Sequence, residues 1–200
     1  MFCRLFFRMR FAGLDNVPSA GPYILAVNHQ SFLDPMLAGI ALKSQLCFMA
    51  RDTLFKSRIF GPLLLSVKAI PVRRGQADIS SIRKIIEKLK HGNGVCLFPE
   101  ATRSSDGKIA SFKGGFTLLC RRGNAPVVPV LIDGAFECWP RHRKLFKPGS
   151  KITVSYGKPI SVEQITAMSD DDFARLLTNT LRTMQTQTRI EQGKQPFNYS

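Results

Sequence analysis

The stretch Asn28-His29-Gln30-Ser31-Phe32-Leu33-Asp34 joins a histidine to an aspartate in a His-x-x-x-x-Asp spacing. An imidazole titrates near neutrality, and one ring nitrogen can be held while the other moves a proton. On one continuous helix, side chains five positions apart diverge by about 140°, because a turn takes 3.6 residues. The two meet only if Asp34 opens a helix and His29 lies in the loop before it. Asp34 then fixes the tautomer, and the other nitrogen becomes a general base awaiting a nucleophile from a substrate. Taken alone, a helix cap and a loop histidine are the better explanation of the spacing. No second histidine or cysteine stands at ligand spacing, so no metal is expected here.

Phe98-Pro99-Glu100-Ala101-Thr102-Arg103-Ser104 gathers a carboxylate, two hydroxyls and a guanidinium in one turn. Arg103 suits bidentate contact with phosphate, and Glu100 suits a hydroxyl or the orientation of Arg103. A polar turn with one local ion pair is the plainer alternative. Ile70-Pro71-Val72-Arg73-Arg74-Gly75 places two arginines after a short apolar run. Ala125-Pro126-Val127-Val128-Pro129-Val130 is apolar with two prolines, which argues for a sheet edge or a strand end.

These stretches need a scaffold, and the chain alternates apolar runs with helical patterns. Residues 22–28, 46–50, 68–72, 95–99, 127–132 and 151–156 read as strands. Helices are expected from Asp34-Pro35, after Asp78 over Ile79 to Leu89, over Gly115 to Arg122, and after Ser169 with three aspartates in its first turn. The pattern predicts one α/β domain over residues 1–200, with a mixed, mostly parallel central sheet flanked by helices. Residues 1–20 are expected as an interfacial segment, its phenylalanines facing lipid and its arginines facing water, with a frayed terminus as the alternative. Residues 192–200 are expected to be loose. Cys47, Cys96 and Cys120 lie in apolar runs, so reduced core thiols are expected rather than disulfides or a zinc site.

The formal net charge is +15 over 200 residues. Such a chain is drawn to nucleic acid, anionic lipid or phosphorylated substrates. No zinc-finger spacing or aromatic nucleic-acid-binding run accompanies the charge, so nucleic acid is not the expected partner. No run reaches the roughly 20 apolar residues that a spanning helix needs.

In their order along the chain, Asn28, His29, Ser31 and Asp34, then Ile70 to Arg74, then Phe98, Pro99, Glu100, Thr102, Arg103 and Ser104, then Val128 to Val130 resemble the motifs of the lysophosphatidic acid (glycerolipid) acyltransferase family. The resemblance runs from about Gly21 to Ile132. It implies acyl transfer from acyl-carrier protein or acyl-CoA to the free hydroxyl of 1-acyl-sn-glycerol 3-phosphate, with no cofactor and no metal. It implies that His29 is the base and that Asp34 orients it. Glu100, Thr102, Arg103 and Ser104 would then hold the acceptor, and Arg73 or Arg74 would assist at its phosphate. The oxyanion would be held by loop amides or by the start of the helix after Asp34. Glycerol 3-phosphate, a lysophospholipid or a lyso-aminolipid is the alternative acceptor, and a non-catalytic lipid- or nucleic-acid-binding protein is the alternative of another class. Ala101 stands where the family carries glycine, which would strain a turn of positive φ. Peripheral attachment to the cytoplasmic face of an anionic membrane is expected, with Arg141 to Lys147 and residues 54–65 as candidate contacts.

Overall fold

The computed structural model describes residues 7–44, 46–58, 60–66, 69–72, 79–112, 116–143, 145 and 147–199. The strands are Arg8–Ala12 (β1), Tyr23–Val27 (β2), Leu46–Arg51 (β3), Ile70–Val72 (β4), Gly94–Leu97 (β5), Val127–Asp133 (β6) and Lys151–Tyr156 (β7). The helices are Asp34–Gly39 (α1), Asp52–Phe55 (α2), Phe60–Ser66 (α3), Ile79–Lys90 (α4), Thr117–Gly123 (α5), Ala135–Cys138 (α6), Val162–Ala167 (α7) and Asp170–Glu191 (α8). All seven strands join one sheet in the order β1-β7-β6-β2-β5-β3-β4. The five from β6 to β4 run parallel, β7 is antiparallel to β6, and β1 is parallel to β7. The chain is thus one α/β layer with a mostly parallel mixed sheet.

Every residue of β2, β5 and β6 is buried. Parallel strands covered on both faces need unbroken apolar runs, which is how these three read in the sequence. Alternate residues serve opposite faces. Ile24 and Ala26 meet Leu89 of α4, Cys120 of α5 and Phe173 and Leu177 of α8. Tyr23, Leu25 and Val27 meet Leu37 and Ala38 of α1 on the other side. α8 starts on Ser169, whose hydroxyl accepts the Asp172 N–H at 3.1 Å. Cys47, Cys96 and Cys120 are buried, and none of the three forms a disulfide. No helix among the described residues is long and apolar enough to cross a membrane.

Three expectations change. Residues 8–12 of the expected interfacial segment form β1, an edge strand, and Phe7 is buried in the core; residues 1–6 lie outside the described residues. Pro129 stands inside β6, the third strand from the edge. The amides of Ile24 and Asn28 on β2 bond the carbonyls of Pro126 and Val130, and the Val127 N–H points the other way, to Ile160. By parity the Pro129 nitrogen also faces away from β2, toward a gap before the β7 ladder, which begins at Val130. No donor is missed there, and the Pro129 carbonyl still accepts the Gly157 N–H at 2.8 Å. Finally, residues 192–199 are tied down rather than loose. Lys194 pairs with Asp133 at 3.1 Å, Phe197 lies under the Arg189 guanidinium at 4.1 Å, and the Tyr199 hydroxyl accepts the Ile109 N–H at 2.9 Å. Asp78 and Gly115, expected at helix starts, lie outside the described residues.

Candidate active site

β2 and β5 are parallel neighbours, so the loops that follow them leave the same end of the sheet. In such sheets the carboxyl ends of the strands are where ligands bind. Asn28 fastens the end of β2. Its buried amide donates to the Ile132 carbonyl at 2.9 Å and accepts the Ile132 N–H at 2.7 Å.

His29 then turns out of the sheet. Its Nδ1 lies 2.8 Å from Asp34 Oδ2. The same oxygen accepts the N–H of Gln30 at 2.6 Å and of Ser31 at 2.7 Å. An oxygen surrounded by donors is an acceptor, so Nδ1 carries the proton of the pair and Nε2 is left to take one. No described residue bonds Nε2. The ring stacks on Phe98 with centroids 4.3 Å apart, and the side chain keeps 19% of its surface exposed. The bend inferred from the sequence is present, but Asp34 does not cap α1. Leu33 occupies that position without a side-chain cap bond, and the carboxylate of Asp34 turns back into the loop.

The loop after β5 reaches across to the same histidine. Glu100 Oε1 accepts the His29 N–H at 2.8 Å, and the Ser104 N–H donates to the His29 carbonyl at 2.7 Å. Glu100 Oε2 accepts the Ala110 N–H at 3.4 Å. Burial pushes the Glu100 carboxyl up to about 7, partly offset by the His29 and Ala110 amides and by the Arg182 charge, while Asp34 adds to the rise. Ala101 adopts φ 56°, the left-handed conformation that glycine takes freely and alanine only at a cost of about 1–2 kcal/mol.

The other expected residues of this loop, Thr102, Arg103 and Ser104, line one cleft with Glu100. Thr102 is exposed. The Ser104 hydroxyl is spent within its own turn, donating to Asp106 at 3.0 Å and accepting the Gly107 N–H at 2.9 Å. Arg103 is half-buried and lies over the Phe32 ring at 3.7 Å. Arg73 and Arg74 lie outside the described residues. The expected oxyanion donors are also largely committed: the amides of His29, Gln30, Ser31 and Leu33 bond Glu100, Asp34, Asp34 and the Ser31 hydroxyl.

Beside this pair of loops opens a cleft of about 470 Å³, lined among others by Glu100, Arg103, Lys108, Arg141, Arg182 and Tyr199. Four cations against the carboxyls of Glu100 and Asp106 give it a cationic excess that suits a phosphate. Arg182 and Tyr199 escaped the sequence reading, since an arginine in the amphipathic pattern of α8 and a tyrosine at the chain end carry no local signal. Arg182 grips the Ile109 carbonyl at 3.0 Å. That carbonyl shares a peptide group with the Ala110 N–H that reaches Glu100. Among the described residues no group of three or more histidine, cysteine, aspartate or glutamate side chains could hold a metal. The arrangement pairs a proton acceptor with an adjoining anion-binding cleft, which can activate a hydroxyl on a phosphorylated molecule.

Residues 8–133 match the family model described as Acyltransferase. The chain is 32% identical over 159 residues to the chloroplastic 1-acyl-sn-glycerol-3-phosphate acyltransferase LPAT1 of Arabidopsis thaliana, covering 78% of this chain and 44% of that protein. It is 30% identical over 166 residues to the 1-acyl-sn-glycerol-3-phosphate acyltransferase of Bacillus subtilis, covering 78% of this chain and 80% of the relative. The crystal structure of the 1-acyl-sn-glycerophosphate (LPA) acyltransferase PlsC from Thermotoga maritima superposes with a TM-score of 0.76 at 28% identity, over 92% of this chain and 73% of that one. The chain spans about half the length of the chloroplast relatives it matches, 44% of one and 49% of the other.

Proposed function

The chain belongs to the acyltransferase family, and we propose that it moves a fatty acyl group from an acyl-carrier-protein or coenzyme A thioester to the free hydroxyl of 1-acyl-sn-glycerol 3-phosphate. The observation that carries this reading is His29. Its Nδ1 is held 2.8 Å from Asp34, and its backbone N–H is tied to a glutamate that lines the cationic cleft.

In this mechanism the acceptor phosphate docks in the cleft, with Arg103 as its principal partner. The acceptor hydroxyl approaches His29 Nε2, which takes its proton as the oxygen attacks the thioester carbonyl. The new C–O bond leaves a tetrahedral oxyanion. Collapse breaks the C–S bond, and the proton held by His29 passes to the departing thiolate. Asp34 stabilises the imidazolium in between and keeps the ring aligned. Every step uses the chain's own side chains and the two substrates, so no cofactor or metal is invoked. The chain acts at the cytoplasmic face of a membrane as a peripheral protein, consistent with a net charge of +15 and a lipid acceptor.

The test is an acyl-transfer assay with purified protein. Acyl-carrier-protein and coenzyme A thioesters are each paired with lysophosphatidic acid, glycerol 3-phosphate, lysophospholipid and lyso-aminolipid acceptors. Turnover is expected with lysophosphatidic acid. Turnover with another acceptor alone keeps the chemistry and replaces the substrate, and folded protein silent across the panel removes the reading.

A further inference from the structure

α1 runs from Asp34 to Gly39 with Leu33 and Ile40 at its caps and Phe32 in the turn before it, the Leu37 N–H on the Leu33 carbonyl and the Ile40 N–H on the Met36 carbonyl. Leu33, Asp34, Leu37 and Ala38 are buried. The exposed positions are Phe32, Met36 and Ile40, at 49%, 45% and 39% of their full surface. Residues four apart share a helix face. A solvated helix places polar groups on that face, whereas here all three are large and apolar.

The surroundings say what such a face fits. The Trp139 ring lies 5.3 Å from that of Phe32. From Trp139 the chain enters a loop in which Arg141, Arg143 and Lys147 are exposed and Leu145 is 77% exposed. Lys43 stands exposed just past the far end of the stripe. An apolar ridge with an aromatic pair and flanking cations is complementary to a bilayer whose headgroups are anionic. A soluble protein partner gains nothing from so many cations unless it is itself acidic.

We propose that the exposed apolar stripe of Phe32, Met36 and Ile40, on α1 and the turns that flank it, with Arg141, Arg143, Leu145 and Lys147 at its side, docks on an anionic phospholipid bilayer. The inference rests on the acyltransferase reading for its lipid substrate and adds the face and orientation of docking. Phe32 joins the two: one side of its ring meets Arg103, which lines the acceptor cleft. Arg141 belongs to both the loop and the cleft. Docking on this face therefore sets the mouth of the acceptor cleft against the headgroup layer. A lysolipid phosphate then passes from membrane to cleft without leaving a cationic surface.

The chain carries its own reporter, since Trp139 is its single tryptophan. Protein is mixed with vesicles of equal parts phosphatidylcholine and phosphatidylglycerol, with and without brominated acyl chains. Trp139 emission is expected to be quenched by the brominated lipid, and partitioning to weaken as salt rises. The double variant Met36→Gln/Ile40→Gln is expected to lose about tenfold or more of its vesicle partitioning. Its turnover on a dissolved short-chain lysophosphatidic acid should stay within about twofold. Leu176→Gln/Ile190→Gln, exposed apolar positions on α8, serves as the control and should bind as before. Vesicle-bound protein with unquenched Trp139 overturns the proposed face, as does a loss confined to the α8 pair. A stripe that instead joins two copies of the chain, seen as a dimer that the α1 variant dissolves, overturns it as well. Vesicle binding is read apart from turnover. Bound, quenched protein that transfers no acyl group upholds the face and removes the reaction, whereas turnover without any binding does the reverse.

Discussion

The loop after β2 and the loop after β5 lie side by side on one end of the sheet, yet they are held in opposite ways. In the first, one buried oxygen of Asp34 gathers the His29 ring and two backbone amides, and the backbone N–H of His29 is itself taken by Glu100. Its geometry is over-determined. In the second, a half-buried carboxyl is pushed up to about 7 by its surroundings, an alanine is bent into φ 56°, and an arginine lies over a phenylalanine ring. In the proposed reaction the first loop fixes where a proton goes, which does not depend on the acceptor's identity. The second, in the same proposal, faces the acceptor, so its cations and strain would tune affinity and choice.

Breaking the first loop should cost the most. His29→Ala is expected to lower kcat by about 10²–10⁴-fold and to lower the melting temperature as well, because the buried Asp34 carboxylate loses its ring donor and Phe98 its stacking partner. Steady-state turnover and calorimetry on one sample check both halves. Asp34→Ala should cost a comparable factor in turnover and also destabilise by about 3 kcal/mol or more, since two buried amides lose their acceptor; urea titration reads the second effect. If Asp34→Ala were as stable as the parent, the loop would not be over-determined and the contrast would collapse.

The second loop should respond in KM and in pH. Arg103→Ala is expected to raise the acceptor KM by about 10–100-fold, the loss of a charged hydrogen bond, with kcat much less affected. Glu100 gives a sign that can be checked. Its folded carboxyl titrates near 7, above its ordinary 4.5. The protonated form is therefore favoured by folding, and the associated stability is full below about 4.5 and fades as pH rises toward 7. Across that window the parent should lose stability relative to Glu100→Gln; a constant difference would mean that burial does not govern this carboxyl. The smallest effect is expected from Ala101→Gly. Relief of the left-handed turn should raise stability by about 1 kcal/mol net of glycine's greater unfolded entropy, and thermal melting resolves it.

Much of this contrast was legible in the sequence, and the reasons differ by region. β2, β5 and β6 are covered on both faces, so each is an unbroken apolar run that composition reveals. β1 is an edge strand whose Arg8 and Arg10 are exposed. Charge on an edge blocks unwanted pairing and also hides the strand. The role of Pro129 turned on the parity of hydrogen bonding along β6, which residue types do not encode. At the site, the types of His29, Asp34, Glu100 and Arg103 marked them as candidates, and Ala101 announced its strain. The triple acceptance by Asp34 Oδ2 was invisible because backbone amides carry no sequence signature. Arg182 was invisible because it acts through a peptide group 73 positions away, at Ile109.

The strand order also bears on how the chain comes to be folded. β1 is made first, but its partner is β7, with Arg8 in register with Lys151. Their pairing joins positions 143 apart in sequence, and contacts so distant form slowly. During synthesis β1 has no neighbour in this sheet until β7 has been made. β2, β5 and β3, each adjacent to a strand nearer in sequence, can associate earlier. The edge made first is thus among the last parts of the sheet to be sealed, and its exposed arginines keep it soluble while it waits.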